Sequence, residues 1–460
     1  MIRSLLRSLS TSGAGADAGC HVTSLRNAFS LSSSRAYAAK GKGGSKASAP
    51  SKGKARTKDT RGAAADEEPS ADFASSGDLL NANFEIPTSP LPVVYDKELD
   101  VGPEGRPLFA FTKTFSSFSH GDACAYVDFS LDEWNAMLPE GLPQGMTREF
   151  EGTRRCAVMV RESFLDLRDN FRRIVDPPIS SKKKEPKKQI VLDGPRSSGK
   201  SIALAMLVHW ARTEGWLVFY VPQGKEWSHG GFFYKNPSNG LWDTPIQAKR
   251  TLQDFLKFNE SRLQQLPCQN FEPIPLGESA GDGMMADADS MTMPEGSTLY
   301  DLIQTGINYS HAAVGVAVRL REELSLVKDV PVLFAIDQYN NWFTFSEYEE
   351  PVTVRSCRPI HAKELTMVNA YRSMMHDDMM IGAFSHSTAV GKLRQDLPDV
   401  PLGARVAFPR YTLDEAATVC HYYLRQKLIR QEKFSDERWK KIYFLSNGNG
   451  SEMRWLAPFI

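Results

Sequence analysis

Gly194-Pro195-Arg196-Ser197-Ser198-Gly199-Lys200-Ser201 is a complete match to G-x-x-x-x-G-K-[ST], and its reading decides the fold. Each fixed position has a physical task. The glycines let the backbone curl so that successive N–H groups point inward at phosphate oxygens, Lys200 reaches the β- and γ-phosphates, and the Ser201 hydroxyl ligates Mg²⁺. The helix that follows adds its positive N-terminal end to the same anion site. The flanks agree with this reading. Gln189-Ile190-Val191-Leu192-Asp193 reads as a strand entering the loop, and Ile202 to Ala211 is apolar on nearly every side, as a helix buried against a parallel sheet must be. Gly194, Arg196, Ser197, Ser198, Gly199, Lys200, Ser201 and Ile202 are the predicted phosphate-binding residues.

Further strands follow outward from the loop. Trp216-Leu217-Val218-Phe219-Tyr220-Val221 is one, and Pro331-Val332-Leu333-Phe334-Ala335-Ile336-Asp337 is another that ends in an acid. A carboxylate at the carboxyl edge of the sheet can hold Mg²⁺ through water, so Ser201 and Asp337 are the expected metal residues. A fourth strand, Met379 to Phe384, carries the polar tip Ser385-His386-Ser387, where Ser385 or Ser387 can contact a terminal phosphate, and an ordinary strand-to-loop transition fits the same residues. No Asn-Lys-x-Asp motif reads guanine, so the loop alone leaves GTP, GDP and ATP open. Gln338 follows Asp337 where many ATPases place a water-activating glutamate. An amide cannot take a proton at neutral pH, so hydrolysis is expected to be slow or absent.

The fold class expected is therefore α/β, a P-loop NTPase with a three-layer αβα core on a parallel sheet. Its core spans 186–400, preceded by an N-terminal extension over 81–185 and followed by a C-terminal helical lid over 401–460. In the extension, Ala157, Val160, Phe164, Leu167, Phe171 and Ile174 are spaced three and four apart and predict one amphipathic helix ended by Pro177-Pro178. In the lid, Thr412-Leu413-Asp414-Glu415 reads as a capping box, with another helix starting near Ser435. The segment 267–297 holds six acids and no Lys or Arg and is expected to be a disordered acidic insertion.

Composition bounds what remains. The 460 residues carry 55 Lys and Arg against 55 Asp and Glu, which argues against a protein that coats RNA over its whole surface. The total hides unlike parts. Residues 1–37 hold four arginines and one acid among Ser, Ala and Leu, the composition of an organellar transit peptide, and Arg35-Ala36-Tyr37 resembles a mitochondrial processing site. Residues 38–80 form a linker, basic and then acidic; its eight Lys and Arg between Lys40 and Arg61 suit either a solvated tether or an arm that orders along RNA phosphates. The six cysteines contain no C-x-x-C pair, and His209, His386 and His421 stand without metal spacing. Apolar runs are far shorter than the ~20 residues that span a bilayer, so no membrane is expected.

Taken together, Val191 to Ser201, then Gly215 to Pro222 with Trp227, then Phe334 to Asp337 with Asn340 and Trp342, and finally Phe444-Leu445-Ser446-Asn447-Gly448-Asn449 resemble the death-associated protein 3 family, the S29 proteins of the mitochondrial small ribosomal subunit. The resemblance implies a P-loop protein of the AAA-like group, a structural protein in the head of that subunit, in the mitochondrial matrix. It further implies bound guanine nucleotide, GTP or GDP, with Mg²⁺, and contacts with small-subunit rRNA, with neighbouring mitochondrial ribosomal proteins and with the large subunit. The competing expectation is a working ATPase or signalling switch of the same fold outside the ribosome.

Overall fold

In this computed structural model, the structure describes residues 99–177, 185–277, 290–372, 380–384, 397 and 400–459. The expected transit peptide and linker (1–37 and 38–80), the tip residues Ser385, His386 and Ser387, and the centre of the acidic segment (278–289) lie outside the described residues.

The N-terminal extension is built from β1 (Tyr126–Asp128), α1 (Leu131–Met137), α2 (Gln144–Thr153), β2 (Ala157–Met159) and α3 (Glu162–Val175), with β1 and β2 paired antiparallel. The single helix expected from Ala157 onward is therefore split. Ala157 and Met159 face one core while Val158 faces another, a period of two, and the Val160 carbonyl accepts the Cys124 N–H at 2.8 Å. The helix starts only at Glu162, where Phe164, Leu167 and Phe171 keep the predicted buried stripe. The partner strand Tyr126–Asp128 is thirty positions away and outweighs the local spacing.

The chain then runs through β3 (Gln189–Asp193), α4 (Lys200–Thr213), β4 (Leu217–Val221), the short pair β5 (Tyr234–Lys235) and β6 (Trp242–Asp243), and α5 (Pro245–Leu263). Next come β7 (Ile274–Pro275) and β8 (Ser290–Met291), paired antiparallel, followed by α6 (Leu299–Asn308) and α7 (Ala313–Leu326). The expectation of disorder across 267–297 thus fails at both ends. Cys268, Ile274 and Leu276 are buried, the half-buried Met291 and Met293 pack against the same core, and Pro267 pairs with Thr298.

β9 (Val332–Ile336), the hairpin β10 (Phe345–Thr353) and β11 (Ser356–His361), α8 (Thr366–Arg372), β12 (Met380–Phe384) and β13 (Arg405–Ala407) complete the core, and α9 (Leu413–Arg425), α10 (Asp436–Ser446) and α11 (Gly450–Leu456) close the chain. Five strands form one parallel sheet in the order β13-β3-β12-β9-β4. Its edge strand β13 comes from the segment expected to be a helical lid. The fold is mixed α/β, with helices on both faces. Alternation along β4 shows how the faces divide: Leu217, Phe219 and Val221 join a core with α5, α6, α7 and α8, whereas Val218 and Tyr220 join one with α3 and α4. A third core packs α9, α10 and α11 on Leu108, Phe109 and Tyr126, where the Tyr126 and Tyr422 rings stack at 4.0 Å. Thr412 caps α9 and Glu415 returns the bond, as the capping-box sequence predicts.

Candidate nucleotide-binding site

Strand β3 stops at Asp193, whose carboxylate accepts the Gly194 N–H at 2.8 Å, and the chain turns before α4 begins at Lys200. Two glycines are required here by geometry. A Cβ on Gly194 would collide with the Phe408 carbonyl oxygen, and Gly199 holds φ +92°, which side-chain-bearing residues rarely adopt. The cap residue of the fourteen-residue α4 is Gly199, which brings no side-chain cap, and the positive end of the helix dipole faces the loop, where it favours an anion. The Lys200 ammonium lies within the loop, donating to the carbonyls of Gly194 at 3.0 Å and Pro195 at 2.7 Å.

Asp337 follows β9, which is separated from β3 by β12 alone. Its N–H donates to Val221 at 2.9 Å and its carbonyl accepts the Gly224 N–H at 3.0 Å, so backbone bonds fix it at the carboxyl edge of the sheet. The carboxylate accepts from the Gln338 N–H at 2.8 Å and hydrogen-bonds the Ser201 hydroxyl. Burial pushes its carboxyl up to about 6, opposed by Ser201, the Gln338 N–H and the Lys200 charge. A buried acid held up in this way gains from a nearby cation, and the donor set of Ser201 hydroxyl and Asp337 carboxylate is the hard-oxygen chemistry Mg²⁺ prefers. Gln338 itself takes the left-handed conformation at φ 59° and lines the same cavity as Asp337 and the loop.

That cavity, of about 510 Å³, is lined on one side by Arg196, Ser197, Ser198, Gly199, Lys200, Ser201 and Ile202. The opposite walls come from α2, from Tyr411 and Tyr423, and from the α11 start at Asn449, Gly450 and Ser451. Sequence reading missed this second half. Arg161, just ahead of α3, donates to the Ser198 carbonyl at 2.6 Å and to both Glu415 oxygens at 2.8 and 2.9 Å. Asn449 donates to the Arg196 carbonyl at 3.2 Å while capping α11, and the Ser451 hydroxyl bonds that of Ser197 at 2.8 Å. The capping box marks Glu415 in the sequence, but nothing local announces a partner 254 positions away.

The isolated histidines have structural surroundings where described. His209 lies among the rings of Phe115, Phe129 and Trp134, where burial lowers it to about 4 and keeps it neutral, and His421 packs on Phe434. Among the described residues no His, Cys, Asp and Glu group has metal-holding geometry, and no helix is long and apolar enough to cross a membrane.

Residues 158–396, a little over half of the chain, match the family described as mitochondrial ribosomal death-associated protein 3. The chain belongs to that family. The matched span includes the glycine-rich loop and Asp337; Glu415 and Asn449 lie beyond it. Small ribosomal subunit protein mS29 of Bos taurus is 23% identical over 357 residues, covering 73% of this chain and 84% of its own. The Mus musculus protein of the same name is 24% identical over 349 residues, covering 71% and 83%. That of Neurospora crassa is 25% identical over 189 residues, covering 40% and 36%.

Proposed function

We propose that this chain is a structural constituent of the small ribosomal subunit in the mitochondrial matrix, and that it holds a purine nucleotide with Mg²⁺ as a fold-stabilising cofactor. The names of its relatives support the first part. The second rests on one arrangement: Ser201 and Asp337 hydrogen-bonded beside an uncapped helix N-terminus that carries Lys200. The sheet order, with β12 between the loop strand and the Asp337 strand, supports a P-loop NTPase core of the AAA-like kind. GTP or GDP is the expected occupant, with ATP admitted by the loop. Small-subunit rRNA, neighbouring ribosomal proteins and the large subunit are the expected partners.

The residues present fit this cofactor. Loop N–H groups and Lys200 would hold the phosphates, Ser201 and Asp337 the metal; the ion would neutralise phosphate charge. Gln338 can orient a water but cannot accept its proton, so the site favours retention over turnover. Linkage then gives the ligand a structural effect: at a hundred times its dissociation constant it stabilises the native state by roughly 2.7 kcal/mol. Steady-state hydrolysis by the purified protein tests the cofactor role. GTP and ATP turnover far below the order of 1 s⁻¹ is expected, and turnover at or above that rate would replace it with a working NTPase.

A further inference from the structure

The turn Ser446-Asn447-Gly448-Asn449, between α10 and α11, lies against the glycine-rich loop. Asn447 and Gly448 take left-handed backbone at φ 51° and 67°, which Asn and Gly adopt most readily, and the Gly448 carbonyl accepts the Tyr411 N–H at 3.0 Å. The chain so reversed brings Asn449 to the loop with both ends of its amide in use. Its oxygen accepts the Ser451 and Glu452 N–H groups at 3.1 and 3.2 Å and caps α11, while its nitrogen donates to the Arg196 carbonyl at 3.2 Å. One side chain starts a helix and grips the loop.

Two more donors take the next two carbonyls. Gly450 donates its N–H to the Ser197 carbonyl at 3.3 Å, and Arg161 Nη1 donates to the Ser198 carbonyl at 2.6 Å. A trans peptide points its C=O and N–H to opposite sides, so holding these three carbonyls turns the N–H groups of Ser197, Ser198 and Gly199 away from their donors. None of the three N–H groups has an acceptor among the described residues. Successive N–H groups around a left-handed residue form an anion-binding nest, and Ser197 is that residue, at φ 59°. A serine resists this conformation. The turn holds it there through the Gly450 bond and the 2.8 Å bond between the Ser451 and Ser197 hydroxyls.

Resting on the nucleotide reading above, we propose that Asn449 and Ser451 are positioning residues of the phosphate site, and that through them nucleotide occupancy is coupled to the seating of α11. They act through the loop, setting the shape that receives a phosphate. Linkage makes the effect reciprocal: what the turn contributes to nucleotide affinity, the bound nucleotide returns as stabilisation of the turn and of α11. Occupancy is thus reported 253 positions along the chain, where Asn449 meets Arg196.

The test is calorimetric titration and hydrogen–deuterium exchange on the full chain and on the double variant Asn449→Ser with Ser451→Ala, with and without Mg²⁺–GDP. Serine still caps a helix but is too short to grip the Arg196 carbonyl, and alanine suits the first helical turn, so the variant is expected to fold, which its nucleotide-free melting curve checks. If it melts early, Ser451→Ala alone keeps the cap and carries the same test. In the wild type, GDP should slow exchange in the loop at 194–201 and also across 447–456. The variant should bind GDP roughly tenfold more weakly and, at saturation, keep protection of the loop while losing that of 447–456. Equal affinity in the two proteins, or protection of 447–456 that is missing from the wild type or survives in the variant, overturns the positioning role while leaving the phosphate site intact. A wild-type protein that binds neither GDP nor ATP overturns the nucleotide reading itself.

Discussion

Arg161 forks its guanidinium onto both carboxylate oxygens of Glu415, at 2.8 and 2.9 Å, while its third nitrogen holds the Ser198 carbonyl of the glycine-rich loop at 2.6 Å. The guanidinium also lies 5.0 Å from the ring centres of Phe408 and Tyr411. One buried side chain therefore joins the N-terminal extension, the loop and the capping box of α9.

Arg161→Ala would strand the Glu415 carboxylate and free the loop carbonyl together. The expected loss is about 3–5 kcal/mol, since removing one member of a buried pair leaves the other uncompensated. Urea denaturation measures it. The double variant Arg161→Ala with Glu415→Ala should lose less than the sum of the two single changes, and strict additivity would mean that the pair is not coupled.

Asp337 gives a pH signature. Its carboxyl stands at about 6 in the fold against an ordinary 3.8, so the native chain binds the extra proton between those values. Without metal, stability is greatest below that window and falls as pH rises through it, by about 3 kcal/mol at 1.36 kcal/mol per unit. Asp337→Asn should abolish this slope, raise the metal-free melting temperature above pH 6, and remove the stabilisation given by Mg²⁺. Melting curves from pH 4 to 8, with and without Mg²⁺, decide the matter.

Lys200→Ala should weaken nucleotide retention and thermal stabilisation together. Saturating Mg²⁺–GDP is expected to raise the wild-type melting temperature by roughly 3–5 °C and the variant's by little. An undiminished shift in the variant would remove Lys200 from the site.

Gly199→Ala probes the backbone. At φ +92° the added Cβ has space, with Arg161 Nη1 3.6 Å away, so the cost is conformational, about 1–2 kcal/mol by chemical denaturation.

The sequence carried the sheet well because its strands are short apolar runs with local signals. The predicted Gln189–Asp193 matches β3, and Trp216 to Val221 and Pro331 to Asp337 match β4 and β9 to within a residue at either end. The loop was legible from spacing, and the α9 cap from four adjacent residues. What escaped was long-range. Ala157 to Met159 looks helical until Tyr126–Asp128 pairs with it, and β13 is three residues whose strand character comes from lying beside β3. Arg161, Asn449 and Ser451 reach the loop only because α9 to α11 fold back over it, and no periodicity encodes that return.

The central claim is tested most directly by sedimenting mitochondrial lysate through a gradient under conditions that preserve ribosomes, with this chain detected in every fraction. The account expects the chain in the small-subunit and intact-ribosome fractions; a chain confined to the top of the gradient, apart from assembled subunits, would contradict it.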